Sequence, residues 1–341
     1  MKNLARPILI CTVILLIAVL LGIGVGSISI SPQESLSILW QALRGLPLDG
    51  EGQSIPSVIL LTLRLPRTLL MLLAGAALSG SGCAYQGLFR NPLADPYLIG
   101  AASGAGVGAV AAMSLNWPST TLGYLAVPLA SFAGSLLAVF LVFRLARVGR
   151  TLPVTNLILA GVAVSSFATA LSSFMMVNAG GELRRAFVWM LGGSTMSGWK
   201  PVLGMLPYTL VGLGALLALS YKLNILQLGD EQAQQLGIKV SRVRTQIILA
   251  ATLATAAAVA FSGIIGFVGL IIPHITRRLW GGDMRRMLPL SMLCGGAFLV
   301  FADVLARVIM APQELPVGII TALCGAPFFL FIMRQSKEGS W

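Results

Sequence analysis

Long apolar runs alternate along this chain with short breaks rich in charge, proline or glycine. Each run is close to the roughly 20 residues that an α-helix needs to cross a bilayer. The breaks mark ten runs, at 8–26, 67–88, 94–114, 120–143, 154–177, 201–221, 243–262, 266–280, 287–307 and 317–334. Strands of a membrane barrel alternate apolar and polar side chains. These runs do not, so the pattern predicts an all-α polytopic membrane protein whose backbone groups bond within each helix. Two runs are marginal. The uncharged stretch Thr245–Thr276 is short for two spans; Gly263–Gly266 is the expected turn, and Pro273 interrupts the second run. The first run follows Lys2 and Arg6 and stays uncharged from Pro7 to Gln33. A signal peptide's apolar region is about 7–15 residues, so a first span fits better.

Composition strengthens this picture. The 341 residues are 57% hydrophobic and 10% charged, whereas soluble domains carry about 25% charge. The net charge of +12 does not form a patch: the basic residues punctuate the apolar runs, and no nucleic-acid recognition module is present. With the N-terminus inside, 16 of the 23 lysines and arginines fall in cytoplasmic segments, which sets an N-in, C-in topology. A single transmembrane domain over 1–341 is expected. It has two outer segments long enough for surface helices, Ser27–Thr62 and Asn178–Lys200, and a cytoplasmic insert at Lys222–Arg242. Gly100, Gly104 and Gly108 recur every four residues and predict close helix packing. Cys11, Cys83, Cys294 and Cys324 all lie in apolar runs without C-x-x-C spacing and read as buried small hydrophobes.

Catalytic chemistry is sparse. His274 is the one histidine, so no multi-histidine metal site can form; beside Arg277 and Arg278 it reads as structural, with a ligand or proton-relay role as the alternative. No Gly-Lys pair occurs, so there is no P-loop, and Gly22-Ile-Gly24-Val-Gly26 follows no strand, so it is no dinucleotide fingerprint. Acidic residues cluster near the span ends (Asp95, Asp230, Glu231, Asp283, Asp303, Glu314) rather than at mid-depth, where ion-coupled carriers place them. A chain without its own energy coupling must borrow it. Lys222–Arg242 offers the element: Asp230 as cap, Glu231 at the positive end of a two-turn helix over Glu231–Leu236, Ala233 and Leu236 as its apolar edge, and Gly237 to close it. So short a helix needs a neighbour to be stable. An ordinary ordered loop is the alternative.

Five separated stretches resemble signatures of the FecCD permeases: Arg64-Leu-Pro-Arg-Thr68, Gln86-Gly-Leu-Phe-Arg-Asn-Pro-Leu-Ala-Asp-Pro96, Gly266-Phe-Val-Gly-Leu-Ile-Ile-Pro-His274, Ala302-Asp-Val-Leu-Ala-Arg307 and Glu314-Leu-Pro-Val-Gly318. These permeases belong to type II ABC importers for ferric siderophores, haem and cobalamin. The resemblance implies ten helices per subunit and no cofactor, metal or enzymatic activity on this chain. It implies a dimer with a second permease copy and two cytosolic ATPases that hold ATP and Mg. It also implies a periplasmic or lipid-anchored binding protein, a metal-chelate cargo, and residence in a bacterial plasma (inner) membrane. Iron siderophore or haem leads as cargo, with cobalamin second; an ion-coupled secondary transporter is the reading from another class.

Residue roles also come from the resemblance. Arg64, Arg67 and Arg307 match arginines that meet acidic residues of the binding protein. Interfacial anchoring is the alternative for Arg64 and Arg67, and a pair with Asp303 for Arg307. Leu228–Gly237, with Gly229, Asp230, Glu231, Ala233, Leu236 and Gly237, is similar to the segment that seats in the ATPase. Asn91 and Leu93, and less closely Val154 and Thr155, match loops that narrow the inner end of the path.

Overall fold

A computed structural model describes residues 5–26, 30–44, 55–115, 121–149, 152–178, 183–194 and 196–338. The outer segment Ser27–Thr62 is therefore described in part, as is Asn178–Lys200, and Lys2 and Arg150 lie outside the described residues. Inside and outside below follow the basic-residue asymmetry.

The helices are α1 (Ala5–Gly24), α2 (Pro32–Leu43), α3 (Ile55–Val58), α4 (Leu65–Phe89), α5 (Ala101–Met113), α6 (Thr121–Ala146) and α7 (Val154–Asn178). They continue as α8 (Leu183–Met190), α9 (Trp199–Gln227), α10 (Asp230–Gln235), α11 (Val240–Ser262), α12 (Val268–Trp280), α13 (Met284–Val308) and α14 (Val317–Glu338). Among the described residues seven helices are long and apolar enough to cross a membrane unaided. α5, α12 and α14 occupy the other three expected spans. α5 and α12 have 13 residues each, about 20 Å of helix against a core of about 30 Å. The count of ten spans is therefore approximate.

α4 and α11 form the centre. From Leu78 to Phe89 every residue of α4 is buried, and α11 is buried along most of its length. Hydroxyl and amide groups tie these helices to their neighbours: Ser79 Oγ donates to the Ser291 carbonyl (2.8 Å), Ser81 Oγ to Ala251 (3.0 Å), and Gln86 Nε2 to Leu270 (3.2 Å). Such pairs hold helices together in lipid, where apolar burial does not distinguish helix from solvent. α1 instead leaves Leu9, Leu16 and Leu20 exposed and buries a thin line of Cys11, Ala18 and Gly22 toward α13, while Ile23 packs with Ile30, Ile38 and Leu60.

Several expectations need correcting. The second span begins earlier than residue 67. Helix runs unbroken from Ile55 to Phe89 through a π segment at Ile59–Arg64. The Leu65 N–H reaches back five residues to Leu60, and Pro66 has no N–H to place. The third span starts late because Asp95 accepts from the Tyr97 N–H (2.7 Å) and starts a 3₁₀ turn over Pro96–Ile99 before α5. Between α11 and α12 the chain leaves helix at Gly263 and re-enters at Val268. Irregular backbone there is satisfied by the Tyr97 hydroxyl, which donates to the Ile265 carbonyl (2.9 Å) and accepts from its N–H (3.3 Å). Pro273 sits inside α12 without ending it.

The glycine series divides. A Cβ on Gly104 or Gly108 would overlap carbonyl oxygens of Gly134 or Ala130 on α6, so these two permit close α5–α6 packing. Gly100 instead holds φ +84 at the start of α5, a left-handed turn. α8 is a short amphipathic helix whose Ala186 and Trp189 are buried in the bundle while Arg184 and Arg185 are exposed. Cys11 and Cys83 are buried, Cys11 Sγ lying 3.3 Å from Cys294 Sγ, but Cys324 is exposed on α14.

Candidate functional site

At the inner end, α10 is bracketed by two glycines. Gly229 (φ +121) precedes it and acts as its N-cap. Asp230 is therefore not the cap: it sits in the first turn with its carboxylate turned to Arg244. The other end closes as expected. The Ile238 N–H bonds to the Ala233 carbonyl (2.9 Å) and the Gly237 N–H to Gln234 (2.9 Å), with Gly237 at φ +81. This is a Schellman closure, which needs a residue free to adopt the left-handed region. The apolar edge also divides. Ala233 is buried in the same cluster as Leu226, Val240 and Val243, so it fixes the helix to its own chain. Leu236 is 59% exposed and Glu231 is exposed, so these two face outward. An open recess of about 770 Å³ lies beside α10, lined by Gln234, Gly237 and the start of α11.

The two inner loops lie close to this helix. Asn91 Oδ1 accepts the Leu93 N–H (2.9 Å) in a tight turn after α4, and both side chains are exposed. Val154 and Thr155 open α7, Val154 half-buried and Thr155 exposed. Just before them, the Leu152 carbonyl accepts from Arg244 Nη1 (2.9 Å). Nearby, Asn224 Nδ2 donates to Asp283 Oδ1 (2.6 Å) and its Oδ1 accepts the Met284 N–H (2.7 Å), pinning α9 to the start of α13. Burial alone would raise the Asp283 carboxyl. Hydrogen bonds from Asn224 and from the Arg285 N–H, with Arg286 and Arg285 nearby, outweigh burial and hold it below the usual carboxylate range.

At the outer end the three matched arginines have different environments. Arg64 and Arg307 are only 6% and 4% exposed. Arg64 Nη1 donates to the Gly24 carbonyl (2.9 Å), and Arg307 donates to Val25 (2.8 Å) and Gly22 (2.9 Å). The last carbonyls of a helix have no partner within it, and a cation suits the negative end of its dipole. Both arginines thus clamp the end of α1 and are not surface charges here. Arg307 also pairs with Asp303, four residues earlier, at 3.0 Å. Arg67 is 31% exposed and bridges Asp303 (2.8 Å) and Glu314. It lines an outer cavity of about 470 Å³ with Glu314, Gly192, Gly193 and Ser194. His274 packs edge-on against Phe328.

Sequence reasoning missed Arg244 as a determinant of the inner site, and it placed the cap of α10 on Asp230 rather than on Gly229. A signal existed for Arg244: Val240, Val243, Arg244 and Ile247 share one face of α11 and are all buried. A charge in that stripe has to be bonded inside the protein.

The sequence pattern of the FecCD transport family matches residues 14–335. The chain belongs to the FecCD family. It is 45% identical over 309 residues to the cobalamin import system permease of Halobacterium salinarum, covering 90% of this chain and 82% of that one. It is 37% identical over 333 residues to an Fe(3+)-citrate import system permease of Bacillus subtilis strain 168, covering 98% and 96%. It is 36% identical over 348 residues to the hemin transport system permease of Yersinia pestis, covering 99% of each. A solved metal-chelate type ABC transporter in an inward-facing conformation superposes with a TM-score of 0.81 at 30% identity, covering 97% of this chain and 99% of that one. The all-helical fold of this FecCD permease is that of an ABC transporter's membrane subunit.

Proposed function

We propose that this chain is the permease subunit of an ATP-binding-cassette importer that carries a metal chelate inward across a bacterial plasma membrane. The family match over residues 14–335 carries this reading. Two copies enclose a path on their symmetry axis, and two cytosolic ATPases, holding ATP and Mg, seat around α10. A binding protein delivers cargo outside. Leu236 and Glu231 are among the exposed side chains that α10 and its C-terminal cap offer a partner, and the recess beside it gives that partner room. Of the three arginines, Arg67 is the one exposed enough to meet a carboxylate, an interaction that steers docking more than it adds affinity. ATP closure moves α10, and the helix bundles rock so that one end opens as the other closes. Asn91, Leu93, Val154 and Thr155 gate the inner end. Metal ligands are unnecessary on a path whose cargo arrives already chelated.

An iron chelate, siderophore or haem, is the leading cargo. A corrinoid is the second reading, supported by the 45% identity to a cobalamin permease. Proteoliposomes holding the permease, its ATPase and its binding protein should take up one of these only with ATP inside the vesicle's ATPase compartment. No uptake of ferric siderophore, haem or cobalamin, or uptake by the permease alone down an ion gradient, refutes the proposal.

A further inference from the structure

Arg244 is the feature of the inner end that the proposed function leaves unused. It lies on α11, 7% exposed. Nη2 holds both carboxylate oxygens of Asp230 at 3.0 and 2.9 Å, and Nη1 holds the Leu152 carbonyl at 2.9 Å. One planar, always-charged group thus grips the first residue of α10 and the backbone two residues before α7. The guanidinium is rigid, so its two ends cannot move independently as the ends of a flexible ammonium side chain would.

The packing around it has the same connectivity. Leu152, Leu157, Ala233, Val240, Val243 and Ile247 belong to one buried apolar cluster, so α10, α11 and the start of α7 share a core as well as a polar bond. A second arginine lies at the same end of α10. Arg90, which closes α4 in a left-handed turn (φ +52), has Nη1 3.7 Å from where a Cβ on Gly229 would sit. Asn91 follows it directly. Each of the two inner loops therefore approaches the N-terminal end of α10 through one arginine.

We infer that Arg244 is a positioning residue that binds α10 to the start of α7, so that displacement of the coupling helix is delivered to the Val154–Thr155 gate segment. The inference rests on the proposed roles of α10 and of that segment. Without the bond, Ala233 still seats this six-residue helix on its own core, but no polar bond joins it to the start of α7, and a push on Leu236 would be absorbed in the loop. A purely stabilising ion pair would make a different prediction: its loss would lower assembly, hydrolysis and transport together.

The test uses three variants in the full importer: Arg244→Met, Arg244→Lys, and the exchange Arg244→Asp with Asp230→Arg. Arg244→Met should keep the ATPase bound and hydrolysing within about twofold while cargo moved per ATP falls at least tenfold. Lysine, a single point charge, can hold Asp230 or the Leu152 carbonyl but not both, and should fall between. The exchange restores the ion pair, but an aspartate at 244 cannot donate to Leu152, so coupling should stay low. Recovery of wild-type coupling in the exchange, or a parallel fall of assembly, hydrolysis and uptake in Arg244→Met, overturns the inference.

A second measurement needs no partner. Spin labels at Leu236→Cys and Thr155→Cys, both exposed sites, are placed on the purified permease lacking its four native cysteines. Arg244→Met should broaden their distance distribution at least twofold; an unchanged distribution overturns the linkage. This arm reads the bond even where no cargo is transported, so its failure is distinguishable from failure of the importer reading.

Discussion

Arg307 gives the sharpest contrast between a structural and a docking role. In the structure Asp303 is fully buried, with Arg67 Nε at 2.8 Å and Arg307 Nε at 3.0 Å. Arg307→Met removes one of the two countercharges and leaves the Gly22 and Val25 carbonyls without their charged donors. Breaking a buried pair by deleting one partner costs about 3–5 kcal/mol. Arg67 remains beside Asp303, which places this case near the lower end, about 3 kcal/mol. The lost carbonyl bonds belong to the same removal and do not add separately. At about 2 °C per kcal/mol for a chain of this size, the detergent-solubilised permease should unfold roughly 6 °C lower at a fixed scan rate. Adding Asp303→Asn removes the uncompensated carboxylate, so the double variant should be less destabilised than the two single changes summed. A surface docking charge behaves differently. Its loss would leave unfolding within about 1 °C of wild type, weaken binding-protein affinity in a salt-dependent way, and show no coupling to Asp303. That pattern would refute the clamp.

Two further outcomes test the packing and the inner end. Gly108→Ala should destabilise by about 1–3 kcal/mol, because its Cβ overlaps the Ala130 carbonyl; Gly106→Ala, whose Cβ would meet only ordinary contacts at 3.6 and 3.9 Å, should be neutral or stabilising. Equal effects on thermal unfolding would contradict the assigned α5–α6 contact. Asp283 has a depressed carboxyl in the folded protein, so its contribution to stability is full above the ordinary carboxylate value near 4 and is lost as pH falls through the lower folded value. The stability gap between wild type and Asp283→Asn should therefore be full above about pH 5 and narrow as pH falls below the ordinary carboxylate value near 4; a gap that widens on acidification would reverse the sign.

The helical membrane fold was legible because apolar run length is a local property: α1, α6, α7, α9 and α13 fall where the runs do. What was not legible depends on distant parts of the chain. Arg64 and Arg307 stand at span ends, where sequence alone permits an outward charge. The carbonyls that bury them are on α1, 40 and 285 positions away for the Gly24 and Gly22 bonds. Ala233 and Leu236 have the same apolar character in sequence, but the fold buries one and exposes the other. The Gly237 closure was readable, since its signal is a glycine directly after a short polar helix. Cys324 looked buried because apolar composition does not distinguish a packed face from an exposed one.

The two ends of the permease are bonded in different ways, and this bears on where motion can start. Outside, Arg64, Arg307, Asp303, Arg67 and Glu314 join α1, α4, α13 and the segment before α14 through several charged bonds, so moving one helix strains several others. Inside, α10 is joined to the start of α7 by one buried guanidinium and to its own core by Ala233. Buried, multiply bonded units shift as blocks, while a short helix on a single strong link can be displaced without melting the helices behind it. On the importer reading, the inner end is where a partner's movement is taken up, and the outer cluster is the block against which the bundle turns. Weakening the outer cluster should then lower stability before it alters coupling, and weakening Arg244 should do the reverse.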